Sequence, residues 1–160
     1  MNFHFDYSKA IGRMKMMSSF EGRNAVSGDG SSNYLQVKIT EQDEPIIKEY
    51  AVTAALQIEE NIARVVRSSD YSDDGFTWDL DLDTPRWNNK RNLNMYVEEA
   101  VVAYSIMKWV EENRPERLQP FQEIFNDMMV RVVDCVFRLR APIKRRRPKI
   151  EGTSVEIVTE

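Results

Sequence analysis

The chain has one histidine and one cysteine among 160 residues, and these two scarcities remove much common chemistry. With His4 alone, neither a histidine-based metal cluster nor a Ser-His-Asp relay can be assembled within one chain. With Cys135 alone, no internal disulfide can form, which fits a reducing compartment. No run approaches the ~20 apolar residues needed to cross a bilayer. The opening stretch, MNFHFDYSKAIGRMKMMSSF, lacks the charged region, apolar core and small-residue cleavage site of a secretory signal. The expected setting is the interior of a cell, or something assembled there. Glycine is sparse, and GRNAVSGDG has neither the spacing nor the Lys-Ser/Thr ending of a phosphate loop. Nothing in this inventory points to an enzyme, a cofactor or a metal.

What is present is the composition of a globular protein, 42% hydrophobic and 30% charged, at a length that one core can organise. The charge is unevenly placed. Residues 1–142 carry 17 Lys and Arg against 23 Asp and Glu, a net of −6. IKRRRPK, residues 143–149, adds five cations, and Glu151, Glu156 and Glu160 return the total to −4. An acidic body with a basic strap is poorly suited to general DNA binding, because the body repels phosphate. It suits a charged arm that meets an acidic surface on a neighbour.

Three long helices are expected. One begins near Pro45, with Asp43 favoured over Thr40 as its cap, and carries Ile47, Tyr50, Ala51, Ala54, Ile58, Ile62, Val65 and Val66 on one face. It should end near Arg67, where RSSDYSDDG reads as a polar loop. A second runs from about Leu93 to Glu112, with Tyr96, Val97, Ala100, Val101, Tyr104, Met107 and Val110 inward. In the third, Leu118, Phe121, Phe125, Met128, Val132, Cys135 and Leu139 alternate spacings of 3 and 4, a heptad seam. Ile124, Met129, Val133 and Val136 widen its apolar surface, which predicts a central helix or one pressed against another subunit. Pro120 predicts a late start or a bend there.

Strands are expected at about 33–39, from the alternation in NYLQVKIT, at 76–83 in FTWDLDLD, and at 153–158 around SVEIV. In the first thirty residues, Phe3, Phe5 and Tyr7 alternate with polar positions and a short helical pattern follows through Ala10, Ile11, Met14 and Met17, but no firm assignment emerges. The expected fold is mainly α: a bundle of three long helices with short strands and extended terminal arms. Residues 1–142 form the helical domain, with an N-terminal arm and an inserted strand. Residues 143–160 form a basic C-terminal arm.

Several candidate sites resolve to bland readings. Asp79, Asp81 and Asp83 copy the first ligand spacings of a calcium loop, but the required glycine is Thr84 and the required bidentate acid is Lys90. A solvated strand face is the better reading. His4 reads as incidental in an unanchored terminus, and Cys135 as core packing with an inert thiol. The pairs Glu59–Glu60, Glu98–Glu99 and Glu111–Glu112 read as the wet faces of helices, since a di-metal bundle would need Glu-x-x-His motifs. The strap remains: a docking arm that continues into SVEIV and adds to a neighbour's sheet, or a phosphate contact of a small nucleic-acid-associated regulator.

The order of segments adds one pointer. KITEQDEPIIKEYAVTAALQIEENIARVV, then FTWDLDL, then LNMYVEEAVVAYSIMKWVEENRPERLQPFQEIFNDMMVRVVDCVFRLR and IKRRRP resemble the small neck proteins of tailed bacteriophages. These are the head–tail connectors or head-completion adaptors of Bacteroidetes-type phages, and the likeness covers roughly residues 33–148. It implies a virion protein made in the host cytoplasm. Such a protein repeats in a ring, commonly twelvefold, between portal and tail, with packaged DNA passing through. A tail-completion role is the neighbouring alternative. The residues expected to carry assembly are Lys144, Arg145, Arg146, Arg147 and Lys149, with Val155 and Ile157 in the terminal strand.

Overall fold

The computed structural model describes residues 1–23, 38–82 and 87–139. Two of the three expected strands therefore lie largely or wholly beyond the described residues. Lys38 and Ile39, the described end of 33–39, are not in a strand. Ile39 is buried, and its N–H donates to the Ser18 hydroxyl instead of to a strand partner.

The N-terminus is no arm. Strand β1 (Asn2–Asp6) leads directly into helix α1 (Tyr7–Arg23). Phe3 and Phe5 point inward from β1 and Tyr7, Ala10, Ile11 and Met14 inward from α1, so the period changes from two to helical within one connection. Helix α2 (Glu44–Ile62) follows a short 3-10 turn, Glu41–Asp43, in which the Asp43 carboxylate accepts from the Thr40 N–H and hydroxyl at 2.8 and 2.7 Å. Asp43 precedes the helix as its cap position, as expected, but its carboxylate turns back to Thr40, which caps the 3-10 turn.

Helix α2 stops at Ile62, earlier than expected, and the supposed polar loop is strand β2 (Val66–Tyr71). Its side chains are exposed from Arg67 to Asp70, which hides the strand from any apolar pattern. It is an edge strand held by backbone pairing to β3 (Gly75–Leu80). The antiparallel sheet runs β1-β3-β2, with Phe3 opposite Trp78 and Phe5 opposite Phe76. Their rings stack on the inner face, Phe5 to Phe76 at 4.9 Å and Phe76 to Trp78 at 4.5 Å between centroids. Asp83 lies outside the described residues; β3 ends three residues before it.

Helix α3 (Trp87–Asn113) is the centre of the molecule. Every residue from Ala100 to Ile106 is buried, a full two turns with no wet face, because α1, α2 and helix α4 (Leu118–Leu139) pack around it. Helix α4, expected to be central or pressed against another subunit, lies outside, with its longest contact along α3. Of its seam, Phe121, Phe125 and Val132 are buried and Leu118, Met128 and Cys135 half-buried, and Val136 beside the seam is buried as well. Pro120 falls in the first turn, where its missing N–H costs no intrahelical bond, so the helix starts at Leu118. Four helices, not three, make the frame.

Among the described residues, one buried side-chain polar atom lacks a partner. The Tyr7 hydroxyl is enclosed without a hydrogen bond, and burial pushes its pKa above the ordinary tyrosine value. Leaving a buried hydroxyl unsatisfied costs about 1–3 kcal/mol. Tyr7→Phe should therefore leave stability unchanged or raise it by about 1 kcal/mol, read as an equal or higher urea midpoint. A fall of that size would mean that the hydroxyl has a partner.

Candidate functional site

The residues expected to carry assembly, Lys144, Arg145, Arg146, Arg147, Lys149, Val155 and Ile157, all lie outside the described residues. What the structure supplies is the surfaces that such an arm could meet. Two of them can carry a partner.

The first is on α4. Beyond its seam, the apolar surface turns around the helix through half-buried Met129 and Val133 to exposed Val130 and Phe137, 68% and 47% accessible. These four side chains, with Asn61 of α2 and Asp134, line a shallow groove. A helix that needed only to cover α3 would carry polar residues at 130 and 137; the continuation of the stripe leaves an apolar strip that stands exposed among the described residues.

The second is the sheet edge. In an antiparallel ladder, opposed residues alternate between those that exchange hydrogen bonds and those whose backbone groups point outward. The Ser72 N–H donates to the Gly75 carbonyl at 2.9 Å, so the pairs Asp70–Thr77 and Ser68–Asp79 are bonded while Tyr71–Phe76 and Ser69–Trp78 are not. Ser69 and Tyr71 therefore turn their N–H and C=O groups away from β3, onto the open edge of β2. On β1, the Tyr7 N–H bonds to Asp74 and the Leu80 N–H to Met1, which turns Asn2, His4 and Asp6 outward by the same rule. That edge faces a groove lined by Phe3, Phe5, His4 and Asp6 of β1 with Lys9, Asn94 and Glu98 opposite.

The acids read as solvated are mostly working contacts. Arg13 of α1 bridges to both Glu98 and Glu99 of α3, at 2.8 and 2.5 Å, and Arg117 grips Glu21 through two 3.1 Å bonds. Glu59 accepts from the Tyr71 and Ser69 hydroxyls at 2.5 and 2.9 Å, fastening β2 to α2. Burial, and then the Glu59 carboxylate, push the Tyr71 hydroxyl well above the ordinary tyrosine pKa. Glu112 does the same for Tyr50, again after burial. Adjacent glutamates signal exposure only when no donor faces them, and the donors here come from elements remote in sequence.

His4 is anchored in β1, not adrift: its Nδ1 lies 3.2 Å from the Thr77 hydroxyl on the sheet's outer face. Asp79 and Asp81 do not converge. Asp79 receives the Met1 amine and Asp81 pairs with Arg67, two separate ion pairs on a strand and its continuation. Among the described residues, no group of three or more His, Cys, Asp or Glu side chains is placed to hold a metal ion, and no helix is long and apolar enough to cross a membrane. Asp6, Asp73 and Asp74 do gather around a cleft at the hairpin end of the sheet, where Lys15 and Lys48 face them. The Asp6 carboxyl is held below its usual pKa by its hydrogen bonds from Ser8. Compared with known proteins, the chain matches no family model, no curated protein and no solved structure.

Proposed function

We propose that the chain is a structural virion protein, a ring-forming adaptor that connects the portal end of the head to the tail of a tailed bacteriophage. The observation that carries the assembly part is the apolar strip Met129, Val130, Val133 and Phe137 on α4, of which Val130 and Phe137 stand exposed. A contiguous exposed apolar surface of this kind marks a protein contact, and repetition of one contact between identical subunits closes a ring when the rotation closes. The bacteriophage part rests on the order of segments alone. In this reading the basic run 144–149 and the terminal 153–158 fasten one subunit to its neighbour or to the portal, while the acidic body borders the DNA passage.

The test is oligomeric state. Native mass spectrometry and negative-stain imaging of the purified chain should give concentration-dependent oligomers, with rings in the presence of the portal protein. The exposed double substitution Val130→Lys/Phe137→Lys should shift them to monomers by at least tenfold in concentration, a change of about 1.4 kcal/mol per contact. A chain that stays monomeric alone and with the portal overturns the proposal. So does tight binding to free DNA at physiological salt that collapses as salt rises, which would favour the regulator.

A further inference from the structure

We propose that the free edge of β2 takes up residues 154–158 of a second copy of this chain as an added, antiparallel strand. The inference rests on the assembly reading and names a surface that reading leaves open. Three independent features of β2 point to it.

The first is backbone valence. Ser69 and Tyr71 present N–H and C=O groups outward, in the spacing that one further strand requires. The second is the flank of α2 to which β2 is fastened. Glu59 of α2 lies under β2, bonded to Ser69 and Tyr71. The same flank of α2 continues through half-buried Val52 to exposed Leu56, 51% accessible. A strand laid beside β2 would cover this flank with every second side chain. SVEIV offers Val155 and Ile157 at that period, with Glu156 turned to solvent.

The third is charge, which selects the direction. At its hairpin end β2 meets Asp70, Asp73, Asp74 and Asp6, against Lys48 and a Lys15 already paired with Glu44. At its start it meets Arg64, and Arg67 paired with Asp81. An antiparallel guest enters from the hairpin end, so its upstream residues, Lys144 to Lys149, lie over the acids. A parallel guest would bring the same five cations onto the two arginines. Lys149 precedes Ser154 by five residues, about 17 Å of extended chain, enough to reach past the turn. The β1 edge is equally open in backbone terms, but the residues that face it from other elements are Lys9, Asn94 and Glu98, and Phe3 and Phe5 in the same groove are already buried in the core.

Geometry favours a second copy over the same chain. Phe137 lies beside Asn61, so α4 ends at the end of α2, which is where β2 begins. A segment from the same chain would have to run the length of β2 and reverse.

Ser69→Pro tests the edge directly. It removes an outward N–H while sparing the bonds to β3, and proline is tolerated on an edge strand. Val155→Asp/Ile157→Asp disables the guest. Each full-length variant should lose at least tenfold in self-association. An equimolar mixture should form a one-to-one dimer, because one partner keeps the guest and the other the edge. In the unmodified chain, the Ser69 and Tyr71 amides should gain protection from hydrogen exchange as concentration rises, which needs no variant to fold. Association with both amides unprotected, or a mixture that stays monomeric while the unmodified chain associates, overturns the inference and leaves the assembly reading standing. Concentration-independent protection of these amides in a monomer would assign the guest to the same chain, and overturns it too. A chain that never associates overturns both.

Discussion

Gly75→Ala should cost about 3 kcal/mol or more, the largest loss expected from adding a single carbon to this protein. A Cβ built on Gly75 would stand 2.0 Å from the Phe5 carbonyl oxygen and 3.0 Å from its carbonyl carbon. Both are backbone atoms, so no side chain can swing away to make room. Gly75 sits opposite Asp6, at the point where β1 gives way to α1 and the chain crosses closely over β3. The overlap could be relieved only by lifting β1 off β3, which would also unstack Phe5 from Phe76. Backbone freedom plays no part in this argument; the glycine is needed for space. Thermal unfolding followed by circular dichroism should show a midpoint lowered by roughly 6–12 °C. Gly12, at a helical position with nothing within 4 Å of its Cβ, is the control: Ala there should be neutral or stabilising by up to about 1 kcal/mol. A Gly75→Ala midpoint within about 2 °C of the parent would show that β1 is not seated on β3 as described.

The contrast between these two glycines marks the limit of what sequence could give. Helical periodicity located three of the four long helices among the described residues, and the heptad pattern of α4 identified its inward face correctly through Phe121, Phe125 and Val132. What it could not give was rank. Apolar residues on two sides of α4 suggested a central helix or one pressed against another subunit, yet the centre is α3, whose Ser105 hides its hydroxyl on the Val101 carbonyl and whose Ala100 and Ala103 allow close approach. Exposed apolar residues and buried ones look alike in a sequence, and the periodicity singled out neither Val130 nor Phe137, which stand exposed. Strand β2 was illegible for the opposite reason. RSSD has no apolar alternation because an edge strand is held by its backbone, and backbone bonds carry no side-chain signature. The N-terminal pattern Phe3, Phe5, Tyr7 was visible, but only the pairing with Phe76 and Trp78, more than seventy residues away, makes it a strand. Of the candidate site, the arm was legible as composition. The edge and flank it would need became visible only once α2 and β2 were placed side by side.

Trp78→Ala should destabilise the protein by about 3–5 kcal/mol, and the question is which of its interactions accounts for that. The ring is fully buried at the middle of β3, stacked on Phe3 at 5.3 Å and on Phe76 at 4.5 Å between centroids. Its Nε1–H also donates to the Tyr71 hydroxyl at 3.3 Å, and Tyr71 in turn donates to Glu59. A long neutral hydrogen bond contributes about 0.5–1.5 kcal/mol, whereas removing some 200 Å² of aromatic surface from water is worth about 5 kcal/mol. Burial should dominate. Trp78→Phe, which keeps a stacking ring and loses the donor, should then recover more than half of the loss, and Tyr71→Phe should cost only about 1 kcal/mol. Urea midpoints at constant slope would rank the three variants. If Tyr71→Phe proved as damaging as Trp78→Ala, the polar chain from indole to Glu59, and not the aromatic stack, would be what holds the sheet against α2. The β2 edge would then be fixed chiefly by a network open to solvent on one side, and the guest strand proposed for it would add to its stability by closing that side.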